Sequence, residues 1–354
     1  MLPNIQRSAV IFLLIIIASF FQTFAKYNTY RMPFKNAKLL HKASHMTRSD
    51  INALAYLTNI HHINNVLKNI CIVRVVGTPG HLKVKKYIKS TLKSLNWSVE
   101  SDIFEDRTPV FGKLKFENII ARFNPKAKRF LVLACHYDSK YEKKFKFVGA
   151  TDSAVPCTQL INLAKVMQNQ LNTIKNADLS LMLLFLDGEE AFKSWSATDS
   201  LYGARHLANK WKKNTETYAG ESISDLDKID LFVLLDLIGA PNPIFYNYFK
   251  NTARWFALLS STEERLAKAS HFENYDYKNP NRKYFQNYTI HPDIQDDHIP
   301  FLEKNVSVLH LIPYPFPDIW HSAEDNRDAL SISTIENINK ILRVFVASYL
   351  NINV

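Results

Sequence analysis

Chemistry is concentrated at the end of one apolar run. Residues Leu179 to Leu186 carry no charge and give way at once to Asp187, Gly188, Glu189 and Glu190. Such a run reads as a strand buried on both faces. Two adjacent carboxylates at its mouth are costly to desolvate unless a cation compensates them. A metal ion is the natural compensator: one carboxylate can ligate it while its neighbour faces the substrate as a proton carrier. A solvated acidic loop is the plainer alternative.

The other candidates also follow apolar runs. His136 and Asp138 come after Phe130–Cys135, Asp152 sits in the turn 149–153 ahead of a helical stretch, and Asp236 ends Leu231–Leu235. His321 comes after Val306–Ile312 and a proline-rich loop. Ligands of α/β sheets gather beyond the carboxyl ends of the strands, so position and residue type agree. Singly, His136 reads as a hydrogen-bonded strand-end residue, Asp152 as the N-cap of the helix that follows, and His321 as capping or exposed. As an ordered series of nitrogen and oxygen donors they suit zinc.

The elements that position these residues follow from periodicity. Strand-like runs are predicted at 118–123, 130–135, 179–186, 231–236 and 306–312, with helical patterns at 50–69, 80–95, 154–170, 201–213, 252–269 and 332–350. Their alternation implies an α/β fold: a single globular domain whose central sheet, mostly parallel or mixed, has helices on both faces. Residues 26–354 form that domain. Ahead of it, Met1–Ala25 has one cation, a short apolar run and small residues at its end, which reads as a secretory signal peptide, with an uncleaved Golgi or endoplasmic-reticulum anchor as the alternative.

Composition excludes little but is informative. The chain has 354 residues, 47% hydrophobic, 12% aromatic and a formal net charge of +11. The lysines are scattered, clustering at 83–89, 126–129 and 140–146, without the stacking aromatics or motif of a nucleic-acid binder, so we expect a solvated basic surface and no nucleic acid. Of the three cysteines, Cys135 ends one apolar run and Cys157 opens the segment after the next loop. We pair these two and leave Cys71 free. Sequons at Asn96, Asn287 and Asn305 suit a secreted surface.

Longer stretches carry a resemblance. ACHYDSK (Ala134–Lys140), FVGATDSAVPC (Phe147–Cys157), LDGEEAF (Leu186–Phe192), IQDDHIPFL (Ile294–Leu302) and LHLIPYPFPDIWH (Leu309–His321) are similar to the animal glutaminyl cyclases, which share the fold of the M28 zinc exopeptidases. The resemblance runs from about Cys71 to the C-terminus and is weak at 26–69, 141–146 and 271–283. It implies one zinc per chain held by Asp152, Glu190 and His321, with Glu189 as the acid/base. It places Asp236 and Asp296 in a supporting acidic network, Gln295 on the substrate, and Trp195, Phe316 and Trp320 in the pocket wall. It also matches the Cys135–Cys157 pairing.

The implied substrate is a peptide or protein beginning with glutamine, with glutamate as a second candidate. The implied reaction closes the α-amine onto the γ-amide of the same residue and releases ammonia, and we expect a soluble secreted monomer. Two other readings are weighed. A two-zinc aminopeptidase would use His136 and Asp236 for a second metal, but Ser153 stands where those enzymes usually carry a second consecutive acid. An inactive binding module sits poorly with an intact set of ligands and base.

Overall fold

The computed structural model describes residues 34–218, 220–276 and 278–354; the expected signal segment 1–25 lies outside them. Two compact units are present. The small one contains the helix Phe34–Leu39 and Glu216–Ser222; the large one, Lys42–Thr215 and Ile223–Val354, holds every candidate residue.

The strands in chain order are β1 (Ser98–Thr108), β2 (Gly112–Arg122), β3 (Arg129–His136), β4 (Leu179–Leu186), β5 (Thr215–Tyr218), β6 (Glu221–Ser224), β7 (Ile229–Leu235), β8 (Phe245–Asn247), β9 (Phe285–Thr289) and β10 (Val308–Leu311). Six of them form the main sheet in the order β1-β2-β4-β3-β7-β10. β4, β3, β7 and β10 run parallel, whereas β1 and β2 add on antiparallel. The sheet is therefore mixed, as the apolar runs imply.

Every position of β3, β4 and β7 is buried, because helices cover both faces. The two-residue period of a strand divides the side chains between those faces. Leu131, Leu133 and Cys135 of β3, with Leu181, Leu183 and Phe185 of β4, pack in one core with the helices Ile60–Ile70, Pro79–Ser94, Val155–Val166 and Ile332–Tyr349. Phe130, Val132 and Ala134, with Met182, Leu184 and Leu186, pack in another beneath the helix Tyr202–Lys213.

Two expectations need correction. The pattern 50–69 is two helices, Arg48–Ala55 and Ile60–Ile70, because Asn59 starts the second by accepting the His62 N–H on its side chain at 2.9 Å. The first has its own capping box, Thr47 with Asp50. The pattern 154–170 likewise divides into Val155–Val166 and a short turn, Gln168–Leu171. β1 has no counterpart among the predicted strands. It is an edge strand paired only with β2, so its sequence SVESDIFEDRT can stay charged, as edge strands often do.

Candidate active site and metal centre

Beyond the carboxyl ends of the parallel strands, three turns are pinned so that their side chains converge. The first follows β4. Asp187 accepts the backbone N–H of Glu117 at 2.7 Å and lies 2.8 Å from His81 Nε2, which ties the strand end into the core. Gly188 follows with φ 69°; a Cβ there would sit 2.5 Å from the Phe116 ring, so only glycine makes this turn. Asp138, just past β3, then accepts the N–H groups of Gly188, Glu189 and Glu190 at 3.0, 3.1 and 3.3 Å. The paired glutamates are thus held by a carboxylate that reads all three amides.

The second turn is Ala150–Ala154, containing Asp152. Arg74, fully buried, donates to the carbonyls of Tyr137 at 2.9 Å, Gly149 at 3.0 Å and Asp152 at 3.1 Å, and to that of Val148. Asp325 accepts the Thr151 N–H at 2.8 Å. The helix beginning at Val155 has Ala154 as its N-cap without a side-chain bond, so Asp152 is not its cap and the plainer reading of that residue fails.

The third turn follows β10 and presents His321 at φ 54°, a left-handed conformation that costs a non-glycine residue roughly 1–3 kcal/mol. The Trp320 ring stacks on the imidazole at 4.0 Å, and Phe147 meets it edge-on at 6.0 Å.

These turns bring Asp152, Glu190 and His321 together, with one ligand atom from each within 4.8 Å of the others. His321 Nε2 lies 3.3 Å from Asp152 Oδ2 and 3.6 Å from Glu190 Oε2. Tetrahedral ligands at about 2.0–2.1 Å from zinc stand roughly 3.4 Å apart, so the spacing suits such an ion. Glu190 Oε1 is buried without a hydrogen-bond partner, and a cation would satisfy it.

A second group, His136, Asp152 and Asp236, is equally compact. His136 Nε2 is 3.0 Å from Asp152 Oδ1 and 3.5 Å from Asp236 Oδ1, while Ser153 Oγ donates to Asp236 Oδ1 at 2.9 Å. A third, Asp296, His298 and His310, is buried behind the site, and sequence reasoning missed it. Burial holds both of these imidazoles down at about 3, so each is neutral at any ordinary pH.

Charges at the site are strongly perturbed. Burial pushes the Glu189 carboxyl well above the usual range; His136 opposes this, and Glu190, Asp296 and Asp297 add to it. Burial also raises Asp236, to about 7, with Asp296 and Asp152 contributing and His136 opposing. Asp152 goes the other way: burial disfavours its charge, but hydrogen bonds from His136 and His321 outweigh that and hold it low. Of the two carboxyls expected beside Glu189, Asp296 acts on its charge without lining the cavity, and Asp236 lines the cavity with it. Asp296 lies behind, bound to His310 Nε2 at 2.6 Å.

The cavity has a volume of about 390 Å³. Glu189, Asp236, Gln295 and the rings of Trp195, Phe316 and Trp320 line it together with the three candidate ligands. Trp195 Nε1 donates to Gln295 Oε1 at 2.9 Å, and Phe316 meets Trp320 edge-on at 5.0 Å. Both tryptophans stay about two-fifths exposed, Trp195 at 39% and Trp320 at 42%, which leaves apolar surface for a ligand to cover.

Cys135 and Cys157 are brought together by one face of β3 and the helix above it. Their sulfurs are 3.0 Å apart as thiols, and Cys71 is a buried thiol elsewhere. Asn96, Asn287 and Asn305 are all exposed. Among the described residues no helix is long and apolar enough to cross a membrane.

The model of peptidase family M28 matches residues 118–346. The glutaminyl-peptide cyclotransferase of Drosophila melanogaster is 47% identical over 319 residues, 88% of this chain and 87% of that protein. That of Bos taurus is 45% identical over 326 residues, 89% of each. The crystal structure of Macrostomum lignano glutaminyl cyclase aligns with a TM-score of 0.80 at 36% identity, covering 88% of this chain and 95% of that one.

Proposed function

The chain belongs to peptidase family M28 and, within it, to the glutaminyl-peptide cyclotransferases, and on that premise we propose that it converts N-terminal glutamine of peptides and proteins to pyroglutamate, releasing ammonia. The observation that carries this reading is the position of Glu189: buried, raised in pKa, and facing an aromatic cavity beside a compact Asp152–Glu190–His321 set. Zinc, one per chain, bound to those three residues would supply the polarisation of the γ-amide carbonyl and would stabilise the charge that develops on it.

The protein's own groups account for the rest. The substrate carries its nucleophile, so the α-amine nitrogen forms a bond to the carbonyl carbon of the side-chain amide (Cδ) as the bond from that carbon to the amide nitrogen breaks. Glu189 takes a proton from the amine and gives one to the departing ammonia, a shuttle suited to a carboxyl raised toward neutrality. Asp296, which raises both Glu189 and Asp236, keeps these cavity carboxyls in an acidic neighbourhood in which a proton is readily held. Trp195, Phe316 and Trp320 fold the glutamine side chain back toward its own amine, and Gln295, oriented by Trp195, contacts the substrate.

The decisive experiment compares a Gln-initiated with a Leu-initiated peptide. Ammonia should appear from the first without chain cleavage, and the second should be inert; a freed N-terminal residue would instead support the aminopeptidase.

The same reading puts the protein in the secretory pathway as a soluble monomer, with a bridge between Cys135 and Cys157. The 3.0 Å contact of the two sulfurs supports that bridge. It would close a 22-residue separation and stabilise the fold by about 3 kcal/mol on the chain-entropy model. Non-reducing peptide mapping of secreted material should recover Cys135 linked to Cys157 and Cys71 as a thiol. A link through Cys71 would sink the assignment.

A further inference from the structure

We infer that the lysine-bearing loop 141–146 gives the enzyme a preference for substrates with acidic residues just downstream of the N-terminal glutamine. This rests on the cyclase reading above and adds a substrate class to it.

The loop is anchored to the site at both ends. Before it, Lys140 lines the cavity, with Nζ 3.4 Å from Glu190 Oε2. After it, Phe147 is buried with its ring 6.0 Å from that of His321. Arg74 then clamps the carbonyls of Val148 and Gly149, three residues short of Asp152. Tyr141 is held in addition by an edge-on contact with Phe111 at 4.8 Å. No residue of the loop is more than three from an anchor, so no Cα can stray more than about 11 Å from one. That distance is comparable to the screening length of about 8–10 Å at ordinary ionic strength.

Lys143, Lys144 and Lys146 are exposed, and Glu142 is the loop's single acid. Against them on the outer side stand Glu142 and the exposed Asp293; the rest of the charged lining is Lys140, His321, Asp152, Glu189, Glu190 and Asp236. Of the carboxylates in that lining, Asp152 and Glu190 belong to the proposed zinc ligands, Glu189 is the acid/base and Asp236 lines the cavity beside them, where the glutamine itself is bound. A polypeptide is far larger than a cavity of about 390 Å³, so its downstream residues lie outside it, in the solvent that the exposed lysines also face. Charges in that position act on encounter and orientation more than on the chemical step.

The test measures kcat/KM for three peptides that differ only at the second and third residues: Gln-Glu-Glu, Gln-Ser-Ser and Gln-Lys-Lys. At low salt the acidic peptide should be favoured over the basic one by roughly tenfold, with the neutral one between them. At about 0.5 M salt the spread should shrink to within about twofold. A Lys143→Ser, Lys144→Ser, Lys146→Ser triple variant should lose the low-salt spread and retain wild-type turnover of Gln-Ser-Ser. Equal rates on all three peptides in the wild type, or a spread that survives in the triple variant, would overturn the inference while leaving the cyclase reading intact. Absence of ammonia release from Gln-Ser-Ser in the wild type would overturn both.

Discussion

A Glu189→Gln enzyme should lose roughly 10²- to 10⁴-fold in kcat and keep its metal. The amide is nearly the size of the carboxyl but cannot accept the amine proton or deliver one to ammonia, so the loss falls on the chemical step and KM should move little. Folding should survive. Burial places the Glu189 carboxyl well above the usual range, so at neutral pH, above its unfolded pKa, its ionisation opposes the folded state. A neutral isostere removes that opposition, and the thermal midpoint should be unchanged or higher. Backbone placement is also independent of the side chain, since Asp138 grips the amides of residues 188–190. Glu190→Gln is the control. It should release the metal, because Glu190 Oε2 faces His321 Nε2 at 3.6 Å. Should Glu190→Gln retain metal while Glu189→Gln loses it, the two roles are exchanged.

The two kinds of information in this site differ in how far the sequence exposes them. β4 was legible because burial on both faces leaves an unbroken apolar run, and the residues at its end are charged where nothing apolar explains them. The same signal located Asp152, Asp236 and His321. β1 was not legible, since an edge strand needs no hydrophobic face. Arg74 was not legible either. A lone arginine between helical stretches looks like surface, and only the folded chain shows its guanidinium satisfied by five carbonyls, those of Ile72, Tyr137, Val148, Gly149 and Asp152. Asp138 was seen as a strand-end acid, but its work is to hold amides rather than a metal or substrate. Residues that act by fixing other residues carry no composition or spacing signal of their own.

Removing the metal should abolish turnover, and a single equivalent of zinc should restore it, although the site offers two overlapping groups of donors. The groups share Asp152 and differ in how their other members are already engaged. Asp236 accepts a hydrogen bond from Ser153 at 2.9 Å, and His136 Nε2 lies at hydrogen-bond distance, 3.0 Å, from Asp152. Glu190 keeps a buried oxygen with no partner, and His321 is held in a left-handed conformation that turns it toward the carboxylates, whereas the unpartnered atom of His136 is Nδ1, on the Asp138 side of its ring. All of Asp152, Glu190 and His321 line the cavity, whereas His136 of the other group does not. A second ion on the other side would serve to activate a water, which the cyclisation does not use. Elemental analysis of the isolated protein should therefore give a metal-to-protein ratio near one, and Glu190→Gln should bring it near zero. His136→Gln, outside the proposed ligand set, should leave the ratio near one. A reproducible ratio near two that falls to one in His136→Gln, together with cleavage of a Leu-initiated peptide, would establish the two-metal peptidase instead.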